Sequence, residues 1–405
     1  MQQILLTKPY KFIPPIESSL WVSLLHSVLP SYLSRAWGLE RVEFRGIEKL
    51  QGSISAGHGV LIAPNHCRPC DPMLMGMLSR EAQCQLFIMA SAHLFYQSRF
   101  QRWLLPRIGA FSIYREGLDR AALDTAIGIL DQGKRPLLIF PEGIVSRTND
   151  NLNPLQDGIS MIVKGGLKRR LARGAQGGIA VHPVAIRYFF HGDLQQAVRP
   201  VLTEIEGRLT WQPLTDLSTE QRIRKVGGAL LSLKELEYLG EVGVGEIPAR
   251  LERLVSEMLL PLEQEWLKGP QSGSTIARVK KLRGAILPEM VKGELGEAEC
   301  ERRWRQLTVC YYAQVLSLYP PYYITETTPL EHILETVERF EEDLTDSSRI
   351  HRPMSAVIDV REPLILPATD EGTKRSGEVN PFVERELVNA LELLKGARPS
   401  LERAL

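Results

Sequence analysis

Residues 60–72 read Val-Leu-Ile-Ala-Pro-Asn-His-Cys-Arg-Pro-Cys-Asp-Pro. Val60 to Ala63 form a short apolar run, the pattern of a buried strand. Asp71-Pro72 is a helix start, with Asp at the cap and Pro at the first helical position. The loop between them carries a histidine, two cysteines and an arginine. The same alternation extends in both directions. Strands are expected at 86–89, 110–114, 136–140 and 181–190, and helices from Asp71, over 95–108, 119–130 and 158–171. This βαβα rhythm predicts an α/β domain over residues 39–212, with a mainly parallel sheet flanked by helices.

The flanks differ from this core. Residues 1–38 form an N-terminal segment in which Leu20, Trp21, Leu24, Leu25, Val28, Leu29, Tyr32 and Leu33 recur at helical spacing, with Pro30 as a candidate kink. An amphipathic helix of this kind either packs on the domain behind it or lies at a lipid interface. From residue 213 to 405 a mainly helical extension is expected. Its helices fall at 220–239, 247–267, 274–291, 297–318, 329–344 and 381–394, with a β-like run at 355–366 and a polar loop at 369–379. No internal repeat or low-complexity tract stands out.

The 405 residues suffice for two or three domains, and the formal net charge of +1 gives no sign of a nucleic-acid binder. Five scattered cysteines argue against a disulfide framework and for a reducing compartment. The N-terminal stretch Met-Gln-Gln-Ile-Leu-Leu-Thr-Lys-Pro-Tyr-Lys-Phe lacks the features of a signal peptide. No run reaches the roughly 18 apolar residues of a spanning helix, so a membrane would be met from its surface.

Chemistry points to His66 and Asp71. A carboxylate that accepts one ring N–H fixes the imidazole tautomer and leaves the other nitrogen free to take a proton from a hydroxyl. Asp71 also reads simply as a helix cap, and His66 as a loop histidine. No strand end carries Gly-x-Ser-x-Gly, so the attacking hydroxyl would belong to a substrate. Cys67 and Cys70 form a C-x-x-C pair, a spacing used by metal and redox sites, but no second ligand pair accompanies it. Three more segments stand at strand ends, where α/β sites gather: Gly109-Ala-Phe111-Ser-Ile-Tyr-Arg115, Phe140-Pro141-Glu142-Gly143-Ile144-Val-Ser-Arg147, and Val181-His-Pro183-Val.

Taken in order, these blocks resemble those of the glycerolipid acyltransferases typified by 1-acylglycerol-3-phosphate acyltransferase. Asn65/His66/Asp71 resemble NHxxxxD, Gly109/Phe111/Arg115 resemble GxxFxxR, Phe140 to Gly143 resemble FPEG, and Pro183 falls in the fourth block. Ile144 stands where the family has Thr, and Arg147 sits one residue later than the family pattern. The resemblance covers roughly residues 39–212. It implies that His66 is the general base and Asp71 its orienting partner. It implies that Asn65, Arg115, Glu142, Gly143 and Arg147 bind substrate, with Arg115 on the acceptor's phosphate. Acyl-CoA or acyl carrier protein would be the co-substrate, with no cofactor and no metal. The acceptor would be a lysophosphatidate-like membrane lipid, met by a cytoplasmic protein peripheral to the inner face of a membrane. Glycerol-3-phosphate or a lysophospholipid as acceptor, and a non-catalytic lipid-binding protein, are the alternatives. A cluster of Lys164, Lys168, Arg169, Arg170 and Arg173 reads as an ordinary basic helix end or as a site for anionic headgroups.

Overall fold

In the computed structural model, which describes residues 10–209, 212–293, 295–325 and 328–401, the expected strand–helix alternation is present and a C-terminal segment joins it. The stretch read for a signal peptide lies, over residues 1–9, outside the described residues, and so do residues 210–211 beside the expected boundary at 212. In chain order, α1 is Ser19–Trp37, β1 Leu39–Arg45, α2 Ile47–Ser55, β2 Gly59–Pro64, α3 Asp71–Glu81 and β3 Phe87–Ser91. Then come α4 Arg99–Arg107, β4 Ala110–Ile113, α5 Arg120–Gln132, β5 Leu137–Leu138, α6 Gly158–Ala172 and β6 Ile179–Phe190. Helices follow as α7 Leu194–Arg208, α8 Thr219–Leu239, α9 Ile247–Leu267, α10 Thr275–Lys292, α11 Glu297–Ser317 and α12 Leu330–Thr345. The chain closes with β7 Met354–Val360, β8 Leu364–Leu366, α13 Asp370–Lys374 and α14 Val379–Leu394.

The sheet runs β1-β7-β6-β2-β5-β3-β4, with β8 on β6. All pairs are parallel except β6–β7 and β6–β8. Two compact units result. The first holds the sheet and takes Lys11–Tyr114, Asp119–Gly192 and the chain from Ile350 onward; the second takes Arg115–Leu118 and Asp193–Arg349. These units do not follow the expected segments: the helical unit takes the chain from Asp193, and the chain from Ile350 returns to the sheet. The β-like run 355–366 is not part of a helical extension. It is two strands broken at Pro363, and β7 fills the place between β1 and β6. The segment 369–379 is helical rather than a loop: Thr369 caps α13 by accepting from the Gly372 N–H. The helix expected over 95–108 starts later, because Ser98 caps α4 by accepting from the Gln101 N–H, after a short 3₁₀ turn at Ala92–Tyr96.

In the sheet unit, β2 and β6 are buried along their whole length, the pattern of strands covered on both faces. Helices α5, α6 and α14 supply Ala126, Leu130, Val163, Leu167, Val383 and Leu387 to the core on one side. The basic end of α6 serves this packing. The Arg170 guanidinium is buried and donates to the carbonyls of Gly57, Leu130, Asp131, Gln176 and Gly177. Arg169 pairs with Asp124 and Arg173 with Asp131.

The helical unit carries a repeat that the apolar pattern did not show. Glu206 of α7 accepts from the Leu214 N–H and from Arg222 in the first turn of α8. Glu235 of α8 accepts in the same way from Gly243 and from Arg250 in the first turn of α9. Glu263 of α9 accepts from Gln271 and from Arg278 in the first turn of α10. All three carboxylates are buried, and each closes a helix–helix joint by satisfying one loop N–H and one guanidinium.

Candidate functional site

β2 and β5 are adjacent and parallel, so the loops after them leave the same edge of the sheet. The loop after β2 carries His66 and turns into α3. Asp71 is the first residue of that helix, with Cys70 before it at the cap position, so Asp71 is not the cap that its sequence context predicts. Its carboxylate turns back on the loop instead. Oδ2 accepts from His66 Nδ1 at 2.8 Å and from the Arg68 N–H at 2.9 Å. Asp71 is fully buried, and the His66 side chain keeps 14% of its surface exposed. The ring of His66 stacks on Phe140 with centroids 4.1 Å apart. Because an ionised carboxylate can only accept, the proton of this pair sits on Nδ1, and Nε2 presents a lone pair. A turn at Pro69, in which the Asp71 N–H donates to the Arg68 carbonyl at 3.1 Å, brings these residues five apart together; Pro72 already lies in α3.

The loop after β5 braces this pair. Glu142 is buried; its Oε1 accepts from the His66 N–H at 2.7 Å. Its Oε2 accepts from the backbone and side-chain N–H groups of Asn153 at 3.0 and 2.9 Å. Burial pushes the Glu142 carboxyl up to about 7, against the pull of those three donors and of the nearby imidazole. Gly143 turns the chain with φ +70°, a conformation strained for any side chain, and its N–H donates to the Phe140 carbonyl at 3.2 Å. Ser146 N–H donates to the His66 carbonyl at 2.7 Å, and the next residue, Arg147, holds a left-handed φ of 60°. A non-glycine residue in that region is uncommon and marks a backbone held by its surroundings. Here the Ser146 hydroxyl, bridging the Thr148 N–H and carbonyl, does the holding.

Asn65, just before His66, reaches across to the neighbouring strand. Its side-chain amide is buried, accepts from the Ile186 N–H at 2.7 Å and donates to the Ile186 carbonyl at 3.0 Å. It pins the loop to β6. Asn149 does the same one step further along, pairing with both backbone groups of Tyr188. Tyr188 is a residue that the motif reading passes over. Its hydroxyl donates to Asp71 Oδ1. A tyrosine in a strand buried along its whole length is the sequence signal, since a buried phenol needs a partner.

Arg115 belongs to the helical unit, with Glu116 and Arg283. Burial and the charge of Arg283 lower its guanidinium to about 10, against the opposing charge of Glu116. Cys67 and Cys70 are buried. Burial, with the charge of Asp71, pushes the Cys70 thiol up to about 12, far from the thiolate that metal binding needs. Among the described residues no three His, Cys, Asp or Glu side chains gather as a metal site.

This arrangement falls within residues 41–187, which match the family model for Acyltransferase. The chain carries an acyltransferase domain of the glycerolipid acyltransferase family. Among curated proteins no match is found. The acyltransferase domain as matched contains His66, Asp71, Glu142 and Arg147, and it ends at Arg187, one residue before Tyr188. Among the described residues no helix is long and apolar enough to cross a membrane.

Proposed function

We propose that the protein transfers a fatty acyl group from a thioester, acyl-CoA or acyl carrier protein, to the free hydroxyl of a lysophosphatidate-like lipid. The hydrogen bond between His66 Nδ1 and the buried Asp71 supports this most directly, because it turns Nε2 into a base at a partly exposed position. Nε2 takes the acceptor's hydroxyl proton as the oxygen attacks the thioester carbonyl carbon. The tetrahedral oxyanion is held by peptide N–H groups of the turn beyond Gly143. The C–S bond then breaks, and the imidazolium returns the proton to the leaving thiolate, giving an ester and a free thiol. Arg147, beside the Ser146–His66 link, is the arginine we assign to the acceptor's phosphate from the same loop; the assignment of Arg115 to it rests on the order of the sequence blocks. Asn65, Glu142 and Gly143 then shape the site from behind.

A lipid acceptor needs a surface that meets lipid. Val22, Leu29 and Leu33 of α1 are buried, whereas Leu20, Leu24, Val28 and Tyr32 form an exposed row on the opposite face. Trp21 meets Trp103 of α4 edge-on at 4.8 Å, and Phe100 of α4 is 64% exposed beside the exposed Arg99 and Arg102. Neither helix contains an acidic residue. Aromatic and aliphatic groups rimmed by arginines suit an anionic lipid surface. The catalytic part of the reading is tested by thiol release from palmitoyl-CoA with 1-oleoyl-lysophosphatidate. His66→Ala is expected to lose about 10²-fold to 10⁴-fold in kcat with the fold intact; near-normal turnover would refute the mechanism.

A further inference from the structure

We propose that Tyr188 is a positioning residue of this reaction, whose hydroxyl fixes the Asp71 carboxylate and through it the orientation of His66. The inference rests on the reading of His66 as general base. Asp71 is fully buried, and a buried carboxylate must have its oxygens engaged. Oδ2 is taken by His66 Nδ1 and the Arg68 N–H, which both come from the loop itself. Oδ1 is taken by Tyr188, which comes from strand β6; the Cys67 sulfur lies 3.9 Å from the same oxygen. With loop donors alone, the carboxylate could turn with the loop. A donor on a sheet strand ties its plane to a strand buried along its whole length.

Tyr188 is itself held on every side. Asn149 pairs with both of its backbone groups. The Arg68 guanidinium covers its ring at 5.3 Å, and Cys70 Sγ lies 3.2 Å from its oxygen. The phenol has one proton, given to Asp71, so the Cys70 thiol donates to the phenol oxygen. Burial, and next the charge of Asp71, raise the Tyr188 hydroxyl well above its usual value. It therefore stays a neutral donor throughout the working range. Neutrality matters: a cation in its place would neutralise Asp71 and weaken the pull on the imidazole that makes Nε2 basic.

The charged and titratable groups that face this network are His66, Asp71, Cys67, Cys70 and Arg68, with Glu142 on the His66 N–H. Tyr188→Phe keeps the ring and removes the donor. The expected result, with palmitoyl-CoA and 1-oleoyl-lysophosphatidate, is a fall in kcat of about tenfold, with KM for both substrates within about twofold. The acid limb of the kcat/KM profile should move to higher pH, because Asp71 relieved of a donor favours the imidazolium more strongly. A 3-fluorotyrosine at 188 keeps the fold and donates more strongly, so the limb should move to lower pH. A folded Tyr188→Phe with wild-type kcat and profile overturns the proposal; if that variant does not fold, an unmoved limb in the fluorotyrosine protein does. An active His66→Ala would sink the general-base reading, whereas an inactive His66→Ala with unmoved profiles at 188 would sink only the role of Tyr188.

Discussion

Replacing Glu142 with Gln isolates the force that sets the dyad loop. The carboxylate accepts three N–H groups, from His66 and twice from Asn153. A glutamine offers one acceptor oxygen, so the other end faces N–H groups that lose their partner. Each buried N–H left alone costs about 1–3 kcal/mol, a loss independent of pH. A second loss depends on pH. In the unfolded chain Glu142 titrates near its ordinary value of 4.5, and in the fold burial raises it to about 7. Between those values the folded state holds a proton that the unfolded state has released. The stabilisation this gives is complete below 4.5 and is lost as pH rises through 7. The full shift corresponds to about 3 kcal/mol. Glutamine does not titrate, so this contribution is absent from the variant. The gap in unfolding free energy between wild type and Glu142→Gln should therefore widen as pH falls from about 8 to about 5. Urea unfolding followed by tryptophan fluorescence at each pH measures it. A gap that instead widens as pH rises would mean that the three N–H donors outweigh burial, and the argument from desolvation would be wrong.

Arg147→Lys keeps the charge and loses the planar fork. KM for lysophosphatidate should rise several-fold with little change for palmitoyl-CoA; equal effects on both would remove Arg147 from the acceptor's phosphate. Replacing Leu20, Leu24, Val28 and Phe100 with Ser should cut co-sedimentation with phosphatidylglycerol vesicles while transfer to a short-chain soluble acceptor persists, because these side chains are already exposed in the fold. Ending the chain at Arg349 removes β7 from between β1 and β6; far-ultraviolet dichroism and solubility should then show an unfolded or aggregating protein, not a stable acyltransferase domain.

The strands of the α/β domain were legible because buried parallel strands read as short apolar runs, as at Val60–Ala63. The dyad was legible because its two residues lie close in sequence and in a family-like order. What stayed hidden depends on partners far along the chain. The run at 355–366 read as β but gave no sign that its neighbours would be β1 and β6, since partners so distant in sequence leave no local turn signal. Arg170 read as one of several helix-end cations; only the fold shows five carbonyls converging on it. The clamps at Glu206, Glu235 and Glu263 were invisible to an apolar pattern because the repeated feature is an ion pair across each joint. Thr369 capped a helix in a stretch whose polarity read as loop.

Strand β6 explains why the loop that carries His66 depends on more than the matched domain. Its pairing with β2 ends at Pro64 opposite Val184, and β6 continues to Phe190. Past that point one edge would present bare N–H and C=O groups inside the fold, at a cost the chain has to meet. Asn65 meets it at Ile186 and Asn149 at Tyr188, two side-chain amides standing in for a missing strand. The opposite edge over Val184–Phe190 is closed by β7. The stretch of β6 that receives both asparagines, and from which Tyr188 reaches Asp71, is thus fixed on one side by the loops that carry Asn65 and Asn149. On the other side it is fixed by a strand that the chain supplies only after the helical unit. A change in β7 opposite Tyr188, where Ala356 is its partner, acts on His66 through one strand, one phenol and one carboxylate.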